Sequence, residues 1–225
     1  MKLLGALAFV GLLALCGLAQ SHAEVDLGDV LELLETIQAD KEVKQVTVTA
    51  IREFVPAGRA SPEELCNYLD RVQLLPSEGA SEALQIISSG LEQGLLVDRL
   101  MNEALKGWAM SRSWEDIRDV LELRLVFLSH AQEAVAGLSV EVELCPDTLR
   151  QVVLEIGWAT SDHIIAGESP EDADGITSRV ERGLTHLRRT ALCENTVDAV
   201  LEALTPELIQ SIATRALRAL AQDRR

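Results

Sequence analysis

The residue types that most often do chemistry are few and widely spaced in this chain. The histidines that follow the first 23 residues are His130, His163 and His186, and no two of them stand three or four positions apart. Ligands on one helix need that spacing to share a face, as in helical zinc and di-iron sites. The sequence therefore predicts no metal site and no cofactor, and we expect these histidines to be structural.

Motifs that carry catalytic machinery are missing from the sequence. It contains no G-x-S-x-G nucleophile elbow, no H-E-x-x-H and no phosphate-binding loop. An acidic stretch at Glu168, Glu171, Asp172 and Asp174 lacks the alternating ligand order of a calcium loop, and we interpret it as a solvated helix start. The sequence therefore predicts no catalytic residue.

Three cysteines follow the first 23 residues: Cys66, Cys145 and Cys193. An odd number permits at most one internal disulfide, with the third thiol left free or paired between two chains, and the sequence leaves open which pair, if any, is bridged. No C-x-x-C spacing occurs, which argues against a zinc knuckle or a redox motif of that kind. One disulfide with a buried thiol, or three buried thiols, is favoured over a reactive cysteine.

The first 23 residues have the pattern of a cleaved secretory signal peptide. Lys2 precedes an apolar stretch of 16 residues, and the small residues Ser21 and Ala23 match a cleavage site after Ala23. This predicts a periplasmic or extracellular protein. A lipoprotein anchored through Cys16 is a minor alternative, because Leu15 is larger than a lipobox tolerates, and an uncleaved anchor helix would be short at this length.

Composition excludes several classes of protein. The chain has 225 residues and a formal net charge of −16, which argues against partners such as nucleic acid or an anionic membrane surface. Apolar residues make up 48%, enough for a buried core rather than a disordered chain. After the leader no apolar run approaches the roughly 18 residues of a membrane span.

The strongest structural signal is a recurring helix start, in which a hydroxyl side chain is followed by proline and then acids. The hydroxyl oxygen accepts hydrogen bonds from the free N–H groups of the first turn. Proline costs no hydrogen bond there, because the N–H it lacks would have had no partner within the helix. The acids are stabilised by the positive end of the helix dipole. Apolar residues then recur every three or four positions. The sequence predicts an all-α fold of about nine helices, an irregular bundle or stacked helical hairpins. The predicted starts are Ser61-Pro62, Ser113-Trp114, Cys145-Pro146, Ser169-Pro170 and Thr205-Pro206.

Three segments need separate interpretation. The β-branched run at 46–49 fits a helical stripe from Val43 to Phe54, so we expect a helix there. The segment Ile117–Ala134 is apolar on more than one side and is predicted to be central. Residues 138–144 alternate like a strand and are interpreted as an extended connector, which places a soft boundary near 137–145 within a single helical domain over 24–225.

The stretch Gly94-Leu95-Leu96-Val97-Asp98-Arg99-Leu100, continuing through Glu103 to Gly107 and Ile117, resembles a pattern in exported bacterial α-helical proteins of unknown function. The resemblance covers about a third of the chain after the leader. It implies a helical fold and export, and it implies no activity.

The large aromatic residues and the arginines are the remaining candidates for recognition. Trp108, Trp114 and Trp158 could line a sugar or peptide groove, although such residues more often seal helical layers. Arginines at 179, 182, 188 and 189, with others near the C-terminus, make the C-terminal third of the chain more basic than the rest. We interpret them as solvent-exposed residues that balance nearby acids.

Together these features favour an exported, non-enzymatic helical protein that binds a protein partner, associates with itself or scaffolds the cell envelope. The alternative is a hydrolase or metal-dependent enzyme with an unrecognised site. That alternative predicts that the three histidines converge with acids in one pocket.

Overall fold

The computed structural model describes residues 25–138 and 143–223, and in them it contains ten helices and no strand. The predicted all-α fold is confirmed, with ten helices where about nine were expected. The helices are α1 (Leu27–Thr36), α2 (Lys41–Phe54), α3 (Pro62–Val72), α4 (Ser77–Glu92), α5 (Asp98–Ala109), α6 (Trp114–Ala136), α7 (Pro146–Ile165), α8 (Ala173–Arg188), α9 (Glu194–Ala203) and α10 (Pro206–Asp223).

Four of the five predicted starts coincide with helix N-termini, at α3, α6, α7 and α10. The prediction at Ser169-Pro170 is wrong, because α8 begins at Ala173, three residues after Pro170. There the carboxylate of Asp172 accepts a hydrogen bond from the N–H of Gly175 at 3.0 Å and caps the helix. The Ser169 hydroxyl accepts instead from the N–H of Glu171 at 3.2 Å and closes a local turn.

The β-branched run in α2 is helical, as the apolar spacing predicts. Thr47 and Thr49 donate their hydroxyl groups to the carbonyls of Val43 and Gln45 at 2.8 and 2.9 Å, which satisfies them within the helix. The stripe is imperfect, since Val46 is 40% exposed.

Helix α6 lies centrally, as predicted. It packs against α4 and α5, which precede it in the chain, and against α7 and α10, which follow it. Its residues Leu121, Phe127, Leu128 and Ala131 are fully buried, because apolar side chains occur on more than one of its faces.

One apolar core cluster contains residues of every helix from α1 to α10. The predicted soft boundary near 137–145 falls between α6 and α7, which pack against each other extensively. Leu138, Glu143 and Leu144 are neither helical nor in a strand, and residues 139–142 of the predicted connector lie outside the described residues. The predicted signal peptide, residues 1–23 with Cys16, also lies outside them.

Throughout 25–138 and 143–223, none of the helices combines the length and the apolarity that crossing a bilayer requires.

Candidate functional site

An apolar groove of about 230 Å³ opens between α6, α7 and the turn that joins α4 to α5. Leu128, Val135 and Val153 are buried and form its floor, whereas Leu149 and Leu154 are half-buried and line its opening. For comparison, an engineered apolar cavity of about 150 Å³ admits benzene. The groove therefore has room for a large aliphatic or an aromatic side chain. The full lining is Gly94, Leu95, Leu96, Leu128, Gln132, Val135, Ala136, Pro146, Leu149, Arg150, Val153 and Leu154.

The turn at one end of the groove depends on Gly94. Its φ of +71° lies in the left-handed region, which a side chain disfavours, and it ends α4. The N–H of Leu95 then donates to the carbonyl of Gly90 at 3.0 Å. The side-chain amide of Gln132 donates to the carbonyl of Gln93 at 3.1 Å and attaches this turn to α6.

The spacing of the two long walls depends on Gly157. A Cβ at this position of α7 would stand 2.9 Å from the Cα of Leu128 in α6, closer than real Cβ atoms approach backbone. The glycine thus lets the two helices meet backbone to backbone beneath the groove. This contact sets how closely α6 and α7 approach each other at that point.

Groups that could move a proton are scarce around the groove. Arg150 is its charged lining residue, and it forms an ion pair with Asp147 one turn away. Gln132 is held by the turn described above. The lining is suited to burying an apolar group.

A cluster of charged side chains surrounds Trp158 on another face of α7. The guanidinium carbons of Arg99 and Arg124 lie 4.4 and 4.2 Å from the centroid of the Trp158 ring, at cation–π distance. Arg99 pairs with Glu155 at 2.8 Å between Nη1 and Oε1. Arg124 pairs with Asp162.

Arg124 is not among the residues singled out from the sequence, yet it is only 4% exposed in the centre of α6. Its Nη1 donates to the Trp158 carbonyl at 3.1 Å and to the Ser161 hydroxyl oxygen at 2.6 Å. The signal was present, because Arg124 stands between Leu123 and Leu125 inside a helix predicted to be apolar on more than one side. A buried arginine needs such partners, so a charge within an apolar stripe predicts an internal ion pair.

The tryptophans do not line the apolar groove. Trp114 stacks on Trp108 with ring centroids 5.9 Å apart, and Trp108 lies 5.7 Å from the ring of Tyr68. The indole N–H of Trp114 donates to Glu82 at 2.8 Å. These three aromatic residues belong to α3, α5 and α6, so Trp108 and Trp114 pack against other aromatic rings between helices.

The three histidines lie in separate settings and do not converge on a pocket. His130 Nδ1 lies 3.4 Å from Glu133, and His186 is exposed on α8. His163 is fully buried, with Nε2 at 2.9 Å from the Ser169 carbonyl oxygen. Within the described residues, no group of three or more histidine, cysteine or acidic side chains is arranged to hold a metal ion.

The acidic stretch serves local structure. Glu168 Oε2 lies 2.5 Å from His163 Nδ1, and its Oε1 accepts from Arg179 at 2.7 Å. Asp162, the sequence neighbour of His163, pairs with Arg124 instead. The arginines of α8 balance nearby acids in part, and Arg188 pairs with Asp198 at 2.9 Å.

The chain is similar to one curated protein, the transcription antitermination protein NusB of Desulfotalea psychrophila (strain LSv54 / DSM 12343). The two are 23% identical over 132 residues, which cover 57% of this chain and 84% of NusB. No family model and no solved structure matches the chain. The resemblance to exported bacterial helical proteins stays a prediction.

Proposed function

We propose that this protein is an exported, non-enzymatic helical module of the cell envelope that binds a partner protein. The groove between α6 and α7 receives an apolar side chain of that partner. The observation that carries the proposal is a recess of about 230 Å³ with an almost wholly apolar lining, open to solvent at Leu149 and Leu154. Burying such surface against a partner is favourable by about 25 cal/mol per Å² of apolar area.

The negative charge of this chain indicates what charge its partner should carry. The chain carries −16 formal charges, and the exposed carboxylates of Glu92 and Glu143 lie close in sequence to the lining residues Gly94 and Pro146. A partner with basic residues beside its apolar anchor gains complementary electrostatics, which raise the association rate and exclude acidic competitors. The occupant is therefore an apolar segment with basic flanks, and a second copy of this acidic chain fits less well.

A labelled peptide tests the groove directly. The probe is a fluorescein-labelled amphipathic helix of leucine and lysine, and fluorescence anisotropy reports its binding to the purified protein. A peptide of the same composition in scrambled order controls for charge alone. We expect the amphipathic peptide to bind more tightly than the scrambled one.

Substitution at the groove completes the test. Leu149→Glu places a charge at the opening and should weaken binding about tenfold or more, which corresponds to about 1.4 kcal/mol. Leu74→Glu is the matched control, because Leu74 is 71% exposed and does not line the groove. Equal affinity for both peptides, or equal loss in both variants, would contradict a groove that binds apolar side chains.

Export is tested independently of binding. Expression in a Gram-negative host, followed by fractionation and mass measurement, should yield a periplasmic chain that begins at Glu24. A chain that keeps residues 1–23 and stays in the cytoplasm would contradict export and leave the groove result unaffected.

The similarity to NusB favours a second candidate function, a role in transcription antitermination. Two exposed basic side chains, Arg182 on α8 and Arg189 directly after it, would supply phosphate contacts, whereas the net charge of −16 opposes binding to nucleic acid. Titration of a labelled single-stranded RNA at several salt concentrations discriminates the two functions. Salt-dependent binding that Arg182→Glu abolishes would favour this second function over the first.

A further inference from the structure

Two of the cysteines stand at the starts of helices that pack against each other. Cys145 directly precedes α7, and Cys193 directly precedes α9. Thr196 joins the two starts, since its Oγ1 accepts from the N–H of Cys145 at 2.9 Å and its own N–H donates to the Cys193 carbonyl at 3.1 Å. Both thiols are free and half-buried at this junction, and each perturbs the pKa of the other. Distant parts of the chain thus bring these sulfur atoms together.

The third described cysteine lies elsewhere in the fold. Cys66 belongs to α3, which packs against α1, α4 and α5. Burial, with Asp29 and Asp70 nearby, raises the pKa of the Cys66 thiol, so it is a poor nucleophile at neutral pH. The odd number of cysteines therefore divides into one pair and one separate thiol.

The two members of the pair differ in acidity. The hydrogen bond from the Cys193 thiol, followed by contacts from the backbone and hydroxyl of Thr148, lowers the pKa of Cys145 to about 7. The same thiol–thiol hydrogen bond, together with partial desolvation, raises the pKa of Cys193. Both cysteines stand at the positive end of a helix, Cys145 at α7 and Cys193 at α9, where the dipole favours a thiolate. The lowered pKa of Cys145 favours it as the attacking thiol, with Cys193 as the resolving thiol.

The geometry points to a dithiol site in which Cys145 and Cys193 react with an external disulfide and close an intramolecular disulfide between the starts of α7 and α9. Cys66 stays reduced. The co-reactant is a disulfide of the glutathione type or a disulfide of another protein, since both present the same sulfur–sulfur bond to a half-exposed thiolate.

The exchange balances in two steps. The Cys145 thiolate attacks one sulfur of the external disulfide, forms a mixed disulfide and releases the other half as a thiolate. The Cys193 thiol gives its proton to that released thiolate and attacks the sulfur of Cys145, which expels the second half as a thiolate that takes a proton from solvent. Two protein thiols are oxidised by two electrons, and one external disulfide is reduced to two thiols.

Peptide mapping after oxidation tests the site. The reduced protein is incubated with oxidised glutathione, quenched with acid, alkylated and digested without reductant, so that mass spectrometry reads every cysteine, including Cys16 where it is retained. We expect a cross-linked peptide pair joining Cys145 to Cys193, and an alkylated Cys66. A cross-link that contains Cys66, or glutathione retained on both Cys145 and Cys193, would overturn the proposal.

Variants separate the two roles. Cys193→Ser should stop the exchange at a glutathione adduct on Cys145, whereas Cys66→Ser, the matched control, should cross-link at the wild-type rate. Circular dichroism confirms that each variant is folded. An adduct that fails to form on Cys145 in Cys193→Ser would also overturn the assignment. None of these outcomes depends on the proposed function, because the experiment uses neither the labelled amphipathic peptide nor export.

Discussion

The guanidinium carbon of Arg124 in α6 stands 4.2 Å from the ring centroid of Trp158 in α7, and its Nη1 donates to the backbone carbonyl of that same residue at 3.1 Å. One arginine thus holds both the side chain and the backbone of one tryptophan. Because Arg124 also pairs with Asp162, the contact joins α6 to α7 through charge, stacking and hydrogen bonding at once.

Truncation of this arginine should be costly. Arg124→Ala leaves the Trp158 carbonyl and the Ser161 hydroxyl without their donor and removes the group packed over the indole ring. We expect the free energy of unfolding to fall by about 3 kcal/mol, measured by urea denaturation. Tryptophan fluorescence should shift to the red as Trp158 gains water.

A surface arginine provides the control for that experiment. Arg71 is exposed at the end of α3, and Arg71→Ala should change stability by no more than about 0.5 kcal/mol. A similar loss in both variants would mean that arginine truncation acts through general charge rather than through the α6–α7 contact.

The close approach of α6 and α7 gives a prediction about packing. Gly157→Ala forces a methyl group to within 2.9 Å of backbone in Leu128, which must move. We expect a loss of about 1–3 kcal/mol in urea denaturation. Gly137→Ala is the matched control, since its nearest contacts lie at 3.5 Å and its φ is −85°, so its change should be small.

The cap of α8 can be tested by comparing two side chains that the sequence places close together. Asp172→Ala removes the acceptor for the Gly175 N–H and should cost about 1 kcal/mol in thermal or chemical denaturation. Ser169→Ala should cost less, within about 0.5 kcal/mol, because Ser169 closes only a local turn. The reverse order would indicate that the helix begins where the Ser-Pro motif predicts.

The acidity of Cys145 predicts a distinctive pH profile. Iodoacetamide reacts with thiolates, so alkylation of Cys145 should rise with pH through a midpoint near its pKa of about 7, against 9.0 for an ordinary cysteine. Cys193→Ala removes the principal hydrogen-bond donor, and the midpoint should move upward. Cys193→Ser keeps a hydroxyl donor and should move it less. An identical midpoint in all three proteins would show that Cys193 does not activate Cys145.

Local sequence signals predicted the helices well, although the capping side chain makes its bond at Ser113 and not at Ser61. Ser113 caps α6 through the N–H of Asp116 at 3.2 Å, and apolar spacing placed α6 in the centre of the fold. Ser169 failed because a serine followed by proline and acids permits a helix but does not compel one. The carboxylate of Asp172, three residues later, is an equally good acceptor, and the packing of His163 against the Ser169 carbonyl favours the later start.

The groove could not be predicted from local sequence patterns. Its lining comes from the turn at Gly94, from α6 and from α7, and its shape depends on a glycine at 157 that meets Leu128 from another helix. No pattern within one segment reports which helices become neighbours. The proximity of Cys145 and Cys193 could not be predicted for the same reason, since Thr196 joins two helix starts that are far apart in the sequence.

The two cysteines bracket α7 and α8 completely, so a bond between them would enclose both helices in a covalent ring. The exposed stretch between those helices, around Glu168 and Glu171, would then lie inside the ring, whereas the α9–α10 connection at Leu204 would lie outside it. A protease that nicks the inner stretch would leave both fragments joined on a non-reducing gel, and a nick at the outer connection would release α10.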